Sequence, residues 1–290
     1  MRIRPIVAAV TGALALSALA VPAAQAVSTD DTTLRASTAA DVFGAASGRS
    51  GFSAAAVPTV TSVSVNGNKN VAVGTTTPKS FTVSVTATHT SGIADAFIEL
   101  WNGTDPEAAN GILRSDQEVA TCTAVTTTKS TCKLTITARP GYDGEVIGSL
   151  YDNALAGNWN VNVAVLANDG NVFSDLTYKT HKVQRLSKLT VNAAPEPVKK
   201  GATLTVTGKL TRADWETGKY AGIPSGQSVA LQFRKASSST YANVKGIKTT
   251  SGGALKTTVK AASDGYHRFN YTGITSTAAS VATGDYVDVK

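Results

Sequence analysis

The stretch "GNWNVNVAVLANDG", residues 157–170, decides the fold class. Trp159, Val161, Val163 and Val165 fall on one parity and Asn158, Asn160 and Asn162 on the other, before an Asn-Asp-Gly turn ends the run. Strand side chains return to the same face every second residue, so this reads as a strand with one face in a core and one in water. The alternation recurs upstream. In "KSFTVSVTATHT" (79–90), Phe81, Val83, Val85 and Ala87 oppose Thr82, Ser84, Thr86 and Thr88. In "TCKLTITA" (131–138), Cys132, Leu134 and Ile136 share a face, and "VFSDLTYKTHKV" (172–183) closes the set.

A second set of strands begins at Ser187 with "SKLTVNAAPEPVKKG" and "ATLTVTGKLTRA". It continues through "SVALQFRK", "YANVKGIKTT", "GALKTTVKAA" and "GYHRFNYTG" to "GDYVDVK". Gly, Pro, Ser and Asp turns separate these short runs at regular intervals, the sequence mark of a β-sandwich. Thr, Val and other small or β-branched residues suit a pleated, half-buried surface and argue against a helical protein. The helical candidates are two short segments, Asp41 to Ala46 and "DPEAANGILR" (105–114). The expectation is an all-β chain of two tandem sandwiches, 58–185 and 186–290, each long enough to bury its own core.

The N-terminus has a different character. "MRIRPIVAAVTGALALSALAVPAAQA" (1–26) opens on Arg2 and Arg4, runs apolar from Ile6 to Val21, and ends in Ala24-Gln25-Ala26. Basic start, apolar middle and small residues at −3 and −1 are the layout of a cleaved secretory signal peptide. The apolar run is shorter than the roughly 20 residues a membrane span needs. Residues 27–57, rich in Ala, Ser, Thr and Gly without periodicity, read as a flexible arm. The mature chain is expected to be secreted and extracellular, with no membrane span.

Cys122 and Cys132 are the two cysteines of the chain. In an exported protein an isolated pair reads as one disulfide, here across a strand–turn–strand hairpin. Closing so short a loop is worth roughly 3 kcal/mol in the chain-entropy account. Two thiols without a neighbouring His do not make a zinc site, and the spacing is far from Cys-x-x-Cys.

Charge is unevenly divided. Residues 27–185 carry 11 Lys/Arg against 14 Asp/Glu, and residues 186–290 carry 14 against 6. The basic half favours anionic partners such as wall polymers or acidic polysaccharide. Its lysines are scattered through alternating strands without a nucleic-acid-binding motif, so nucleic acid is not an expected partner.

The segments "KLTVNAAPEPVKKGATLTVTGKLTRADWETGKYAG" (188–222), "GQSVALQFRK" (226–235) and "DGYHRF" (264–269) resemble the bacterial immunoglobulin-like modules of secreted actinomycete proteins. "VSVTATHTSGIADAFIELW" (83–101) is similar to the "SGI" strand pair of another bacterial immunoglobulin-like branch. The resemblance implies immunoglobulin-like sandwiches and carries no activity of its own. Some such modules hold calcium through an acidic residue just before "SGI". Thr88, His89 and Thr90 stand there in this chain, so no metal or other cofactor is expected.

Candidate chemistry is sparse. His89, His181 and His267 lie in no metal-ligand spacing, and neither a Gly-x-Ser-x-Gly elbow nor a phosphate-binding Gly-rich loop occurs. "TRADWETGKYAG" (211–222) sets Asp214 and Glu216 around Trp215. A glycosidase needs two carboxyl groups about 5–9 Å apart across a cleft, one of them desolvated. A Gly-flanked loop on a small module offers neither, so these acids read as loop charges paired with Arg212 or Lys219. The aromatics are the better candidates for contact. If Ala96, Ile98 and Leu100 face the core, then Phe97, Glu99 and Trp101 face outward together, and Trp215 and Tyr220 project from a loop. Outward aromatics stack on sugar rings or partner surfaces, unless the 102–114 loop or the other module covers Phe97 and Trp101, and unless Trp215 and Tyr220 pack beneath their own hairpin. The sequence thus leads to a secreted, non-catalytic binding or structural protein contacting cell-wall polymer, polysaccharide or another protein. Its rival is an exported enzyme or enzyme inhibitor whose loop-built site has no sequence mark.

Overall fold

The computed structural model describes residues 33–44, 56–142 and 144–290. The segment read as a signal peptide, 1–26, lies outside the described residues, as does most of the 27–57 arm.

Ten strands build the first sandwich: β1 (Thr59–Val65), β2 (Val71–Val73), β3 (Lys79–Thr88), β4 (Ile93–Asn102), β5 (Gly111–Arg114), β6 (Thr121–Thr126), β7 (Lys129–Pro140), β8 (Ser149–Leu150), β9 (Gly157–Ala167) and β10 (Val172–Arg185). One sheet runs β1-β3-β7-β6 and the facing sheet β2-β10-β9-β4-β5. The long strands pair antiparallel, and β2 joins β10 in parallel. The first strand region thus splits between the two sheets, the strand order of an immunoglobulin-like sandwich. Between the sheets, Trp159, Val161, Val163 and Val165 of β9 face Phe81, Val83 and Val85 of β3 and Leu134 and Ile136 of β7, all buried. The period-two reading of these strands holds because two inner faces, each with one parity of apolar residues, meet in one core.

Cys122 and Cys132 are directly opposite each other on β6 and β7 and form a disulfide. β6 is an edge strand with mostly exposed side chains, so the cross-link replaces packing it otherwise lacks. Reduction is expected to cost about 2–3 kcal/mol, read as a lower urea midpoint for the reduced chain than for the oxidised one.

The second sandwich contains β11 (Ser187–Leu189), β12 (Asn192–Ala194), β13 (Thr203–Asp214), β14 (Lys219–Gly222), β15 (Ser228–Lys235), β16 (Ala242–Lys248), β17 (Ala254–Lys260), β18 (Gly265–Tyr271), β19 (Ser280–Val281) and β20 (Asp285–Val287). β13 is the spine of one sheet. Its first half pairs with β12 and β17, and its last residues pair with β11 and β14. The other sheet runs β16-β15-β18-β19, with β20 also on β18. Leu204, Val206, Leu210, Leu231, Phe269 and Tyr271 fill the space between them. Gly208 lets this core close, because a Cβ there would lie 2.2 Å from the Thr190 carbonyl and 2.9 Å from the Phe269 ring. "SKLTVNAA", read as one strand, is two short ones interrupted at Thr190 and Val191. Of the helical candidates, the first is the single turn α1 (Ala39–Phe43), and the second becomes a turn followed by β5.

The expected flexible arm needs correction where it is described. Residues 33–44 lie on the outer face of the β4–β9 sheet, with Ala36 and Ser37 buried. The Ala36 amide donates to the Pro106 carbonyl at 2.7 Å, and the Ala109 amide donates to the Leu34 carbonyl at 2.8 Å. Low periodicity hid this, because the segment is anchored by a few backbone bonds and small side chains rather than by an apolar stripe.

Candidate functional site

Two places gather the aromatic and acidic residues singled out in the sequence, and each turns out to be a joint.

The first is the outer face of β4. Ala96, Ile98 and Leu100 enter the core, and Phe97, Glu99 and Trp101 take the other face. Trp101 does not meet solvent there: it is 1% exposed, clustered with Ala36, Ala109 and Ile112. Its indole N–H donates to the Leu176 carbonyl at 2.7 Å. Glu99 is 0% exposed. Its Oε1 accepts from the Ser37 amide at 2.6 Å and from Asn162 Nδ2 at 3.1 Å. Its Oε2 accepts from Arg114 Nε at 2.9 Å and from the Ser37 hydroxyl at 3.2 Å. A buried carboxylate survives only when its lone pairs are filled in this way. Asn162 Nδ2 also reaches the Ser37 carbonyl at 2.7 Å, so both polar groups of the sheet grip the same residue of the arm. Just beyond it, Thr38 and Asp41 form a reciprocal capping box that starts α1. Arg35 pairs with Asp41 through both of its terminal nitrogens, which holds the Asp41 carboxyl far below the usual carboxylate range. Phe97, half-buried, lines a cleft of about 390 Å³ with Val42, Asp41, Arg114 and Gln117.

The second joint is the β13–β14 hairpin, which carries "TRADWETGKYAG". β13 runs past its own sandwich, and Ala213 and Trp215 belong to the core of the first one. Trp215 is 1% exposed, and its indole N–H donates to the Val73 carbonyl at 3.3 Å. Asn153, in the turn ahead of β9, receives the rest of the hairpin tip. Its Nδ2 donates to Asp214 Oδ1 at 2.9 Å and to Glu216 Oε1 at 2.7 Å, and its Oδ1 accepts from the Trp215 amide at 3.0 Å. The Asn153 amide also reaches Glu216 Oε1 at 3.0 Å. The two acids are therefore bridged by one carboxamide, not paired with Arg212 or Lys219 as loop charges. That bond from Asn153 holds the Asp214 carboxyl below its ordinary value. A carboxylate kept ionised by donors is the reverse of the raised-pKa acid that glycoside cleavage requires.

No flexible linker separates the sandwiches at this point. Leu186 alone stands between β10 and β11; its amide donates to the Val73 carbonyl and its carbonyl accepts from the Ala213 amide, both at 2.8 Å. Gln184 Nε2 reaches the Ile274 carbonyl at 2.7 Å, and the Ser187 hydroxyl the Ala278 carbonyl at 2.7 Å. Tyr220 sits in a crevice of about 450 Å³ with Gly74, Thr76, Lys79, Leu186 and Lys188. The Lys188 ammonium lies 3.8 Å over the ring, so one face of Tyr220 is already taken by a cation.

The four candidate contact aromatics do not form one surface. Trp101 and Trp215 are buried, while Phe97 and Tyr220 line separate crevices. Glu99 and Asn153, which organise the two joints, were not foreseen. A lone acid inside the apolar run "AFIELW" was the available sign for Glu99; Asn153 had none. Among the described residues no group of three or more His, Cys, Asp or Glu is placed to hold a metal ion, and no helix is long and apolar enough to cross a membrane.

Asn153→Ala is expected to cost about 2 kcal/mol, since three side-chain bonds to the hairpin go with it. The part of this that flows through Asp214 depends on pH. A carboxyl depressed on folding contributes stability above its unfolded value, about 3.9, and loses it as pH falls through the folded value. The gap in thermal midpoint between wild type and Asn153→Ala should therefore narrow below about pH 4.

No protein-family model and no curated protein matches this chain. Solved structures do. The Escherichia coli adhesin FdeC is similar at 17% identity over 80% of this chain and 66% of its own, with a TM-score of 0.32. The D0–D1 domain of intimin is similar at 17% identity over 80% and 99%, with a TM-score of 0.24. A marsupial T cell receptor is similar at 12% identity over 79% and 72%, with a TM-score of 0.33. This chain spans just under two thirds of the FdeC chain. At such scores these likenesses carry no point of function, and the immunoglobulin-like description rests on strand order.

Proposed function

We propose that this is an exported, non-catalytic binding and structural protein. Its two immunoglobulin-like sandwiches, divided at residues 185 and 186, work as one joined body that contacts cell-wall polymer, polysaccharide or another protein outside the cell. The observation that carries this reading is the seating of Trp215 in the first core with Asp214 and Glu216 clasped by Asn153. The residues with the best claim to chemistry are committed to holding the two halves together, and a joint of this kind suits a spacer or presenting scaffold. The disulfide accords with an oxidising, extracytoplasmic compartment.

Retention on purified cell wall and on a panel of soluble polysaccharides tests the reading, run beside a hydrolysis screen on the same materials. Retention without turnover is the expected result. Hydrolysis with no retention would overturn it in favour of an exported enzyme. The mass of the exported protein is expected to correspond to a chain beginning at Val27 with no free thiol; a chain retaining residues 1–26 would refute the signal-peptide part.

A further inference from the structure

The solvent side of the β16-β15-β18-β20 sheet carries a continuous row of stacked tyrosines and arginines. Alternation on β15 and β18 sends Leu231 and Phe269 into the second core and Gln232, Arg234, Tyr266 and Arg268 to the other face. Arg234 lies directly opposite Tyr266, and Gln232 directly opposite Arg268. Tyr286 of β20 is paired with Tyr266, ring centroids 5.2 Å apart. The Arg234 guanidinium lies 3.7 Å over the Tyr266 ring and 5.3 Å from that of Tyr241, and the Arg268 guanidinium lies 3.7 Å over Tyr241. By contact the row runs Tyr286, Tyr266, Arg234, Tyr241, Arg268, and it folds back on itself, because Arg268 shares β18 with Tyr266. Gly284 makes room for it, because a Cβ there would lie 2.0 Å from the Tyr241 hydroxyl.

The two guanidiniums are held in place but not neutralised. Arg234 Nη1 donates to the Ser238 carbonyl at 2.8 Å, and Arg268 Nε donates to Gln232 Oε1 at 2.8 Å. Neither has a carboxylate partner among the described residues. Two like charges on either side of one tyrosine repel each other, and an anion laid across them would relieve that repulsion. Stacking fixes the guanidinium planes in advance, so little side-chain entropy is lost when their free N–H groups bind a carboxylate.

We propose that this row is a binding site for an anionic polysaccharide bearing uronate carboxylates, the carboxylates pairing with Arg234 and Arg268 and the sugar rings packing on the tyrosine surface that the arginines leave open. The proposal rests on the extracellular binding function above and supplies its ligand class. Charge agrees with it, since residues 186–290 hold 14 Lys/Arg against 6 Asp/Glu. Asp264, Asp288 and Glu196 act electrostatically on Tyr286, so an anionic chain is expected over the two guanidiniums and not over Tyr286. An acidic protein is a poorer fit. Gln232, Asn243 and Ser238 surround the row, in place of the apolar centre a protein interface builds around its aromatic anchors.

The test is retention of the exported protein on immobilised polygalacturonate, with dextran as neutral polymer and poly-glutamate as acidic peptide. Tight binding to polygalacturonate, weak binding to poly-glutamate and none to dextran are expected. Arg234→Gln and Arg268→Gln should each weaken polygalacturonate binding about tenfold. Tyr241→Ala should weaken it as well, and Lys256→Gln, the same loss of charge on the opposite sheet, should leave it unchanged. Circular dichroism and thermal midpoint identify variants that remain folded. Binding that survives the folded double variant Arg234→Gln/Arg268→Gln overturns this site and leaves the wider binding function standing. Equal binding to poly-glutamate overturns the polysaccharide assignment in favour of an acidic-peptide surface. No retention on any polymer, wall included, overturns this site together with the polymer-binding part of the proposed function.

Discussion

Replacing Trp215 with alanine is expected to lower stability by about 3–5 kcal/mol, and the loss should fall on the sandwich to which Trp215 does not belong by chain order. The indole is part of the first core and its N–H is bonded to the Val73 carbonyl, so its removal leaves an unfilled volume in that core. The Val73 carbonyl loses a buried donor at the same time. In denaturant, the wild-type chain should unfold in one transition, because the hairpin couples the two cores. Trp215→Ala should separate the first sandwich as an earlier step. Trp215→Phe, which fills much of the space without the N–H, should lie between them. A single unshifted transition for the alanine variant would remove the argument that the hairpin joins the two halves.

The second large effect is expected at Glu99. Glu99→Ala removes the acceptor shared by Ser37, Asn162 and Arg114, and residues 33–44 lose their anchor on the sheet. Breaking a buried charged pair from one side costs about 3–5 kcal/mol when the survivor stays buried. The Arg114 side chain is 32% exposed and turns toward water, so about 2–3 kcal/mol is expected here. The readout is local. Cleavage after Arg35 by a trypsin-like protease should quicken, and the tryptophan emission should shift to the red as Trp101 meets water. Glu99→Gln, which keeps the acceptor toward the Ser37 amide but turns an NH2 group toward Arg114, should lie between Glu99→Ala and wild type.

These two residues also mark where sequence reading stops. Strand parity was legible wherever one face met a core and the other met water, as in β3, β7 and β9, since burial there follows directly from side-chain direction. The disulfide was legible because an isolated cysteine pair leaves no other partner. On β4 the same parity rule set the correct direction for Phe97, Glu99 and Trp101, and the cover weighed from the 102–114 loop is present in Ala109 and Ile112 against Trp101, while the cover from the arm was not foreseen. A second layer, residues 33–44, covers that face, and its Ala, Ser and Thr carry no periodic signal. The Tyr–Arg row was implicit in "LQFRK" and "DGYHRFNY", where Arg234, Tyr266 and Arg268 fall on the parity opposite the core residues Leu231 and Phe269. That it forms one surface depends on the pairing of Arg234 with Tyr266 and on the loop that brings in Tyr241, which are facts of register.

The hairpin "TRADWETGKYAG" shows the division most clearly. By itself the sequence determined a turn, two flanking strands and a pair of loop acids, because Gly and alternation act over a few residues. Only the tertiary structure decided that Trp215 lies in another sandwich's core and that Asn153 bridges both acids, 61 and 63 residues away along the chain. Local propensity acts within a turn or a strand, whereas burial depends on which surface folds against it. A tryptophan between two carboxylates looks the same in sequence whether it awaits a ligand or already occupies a pocket.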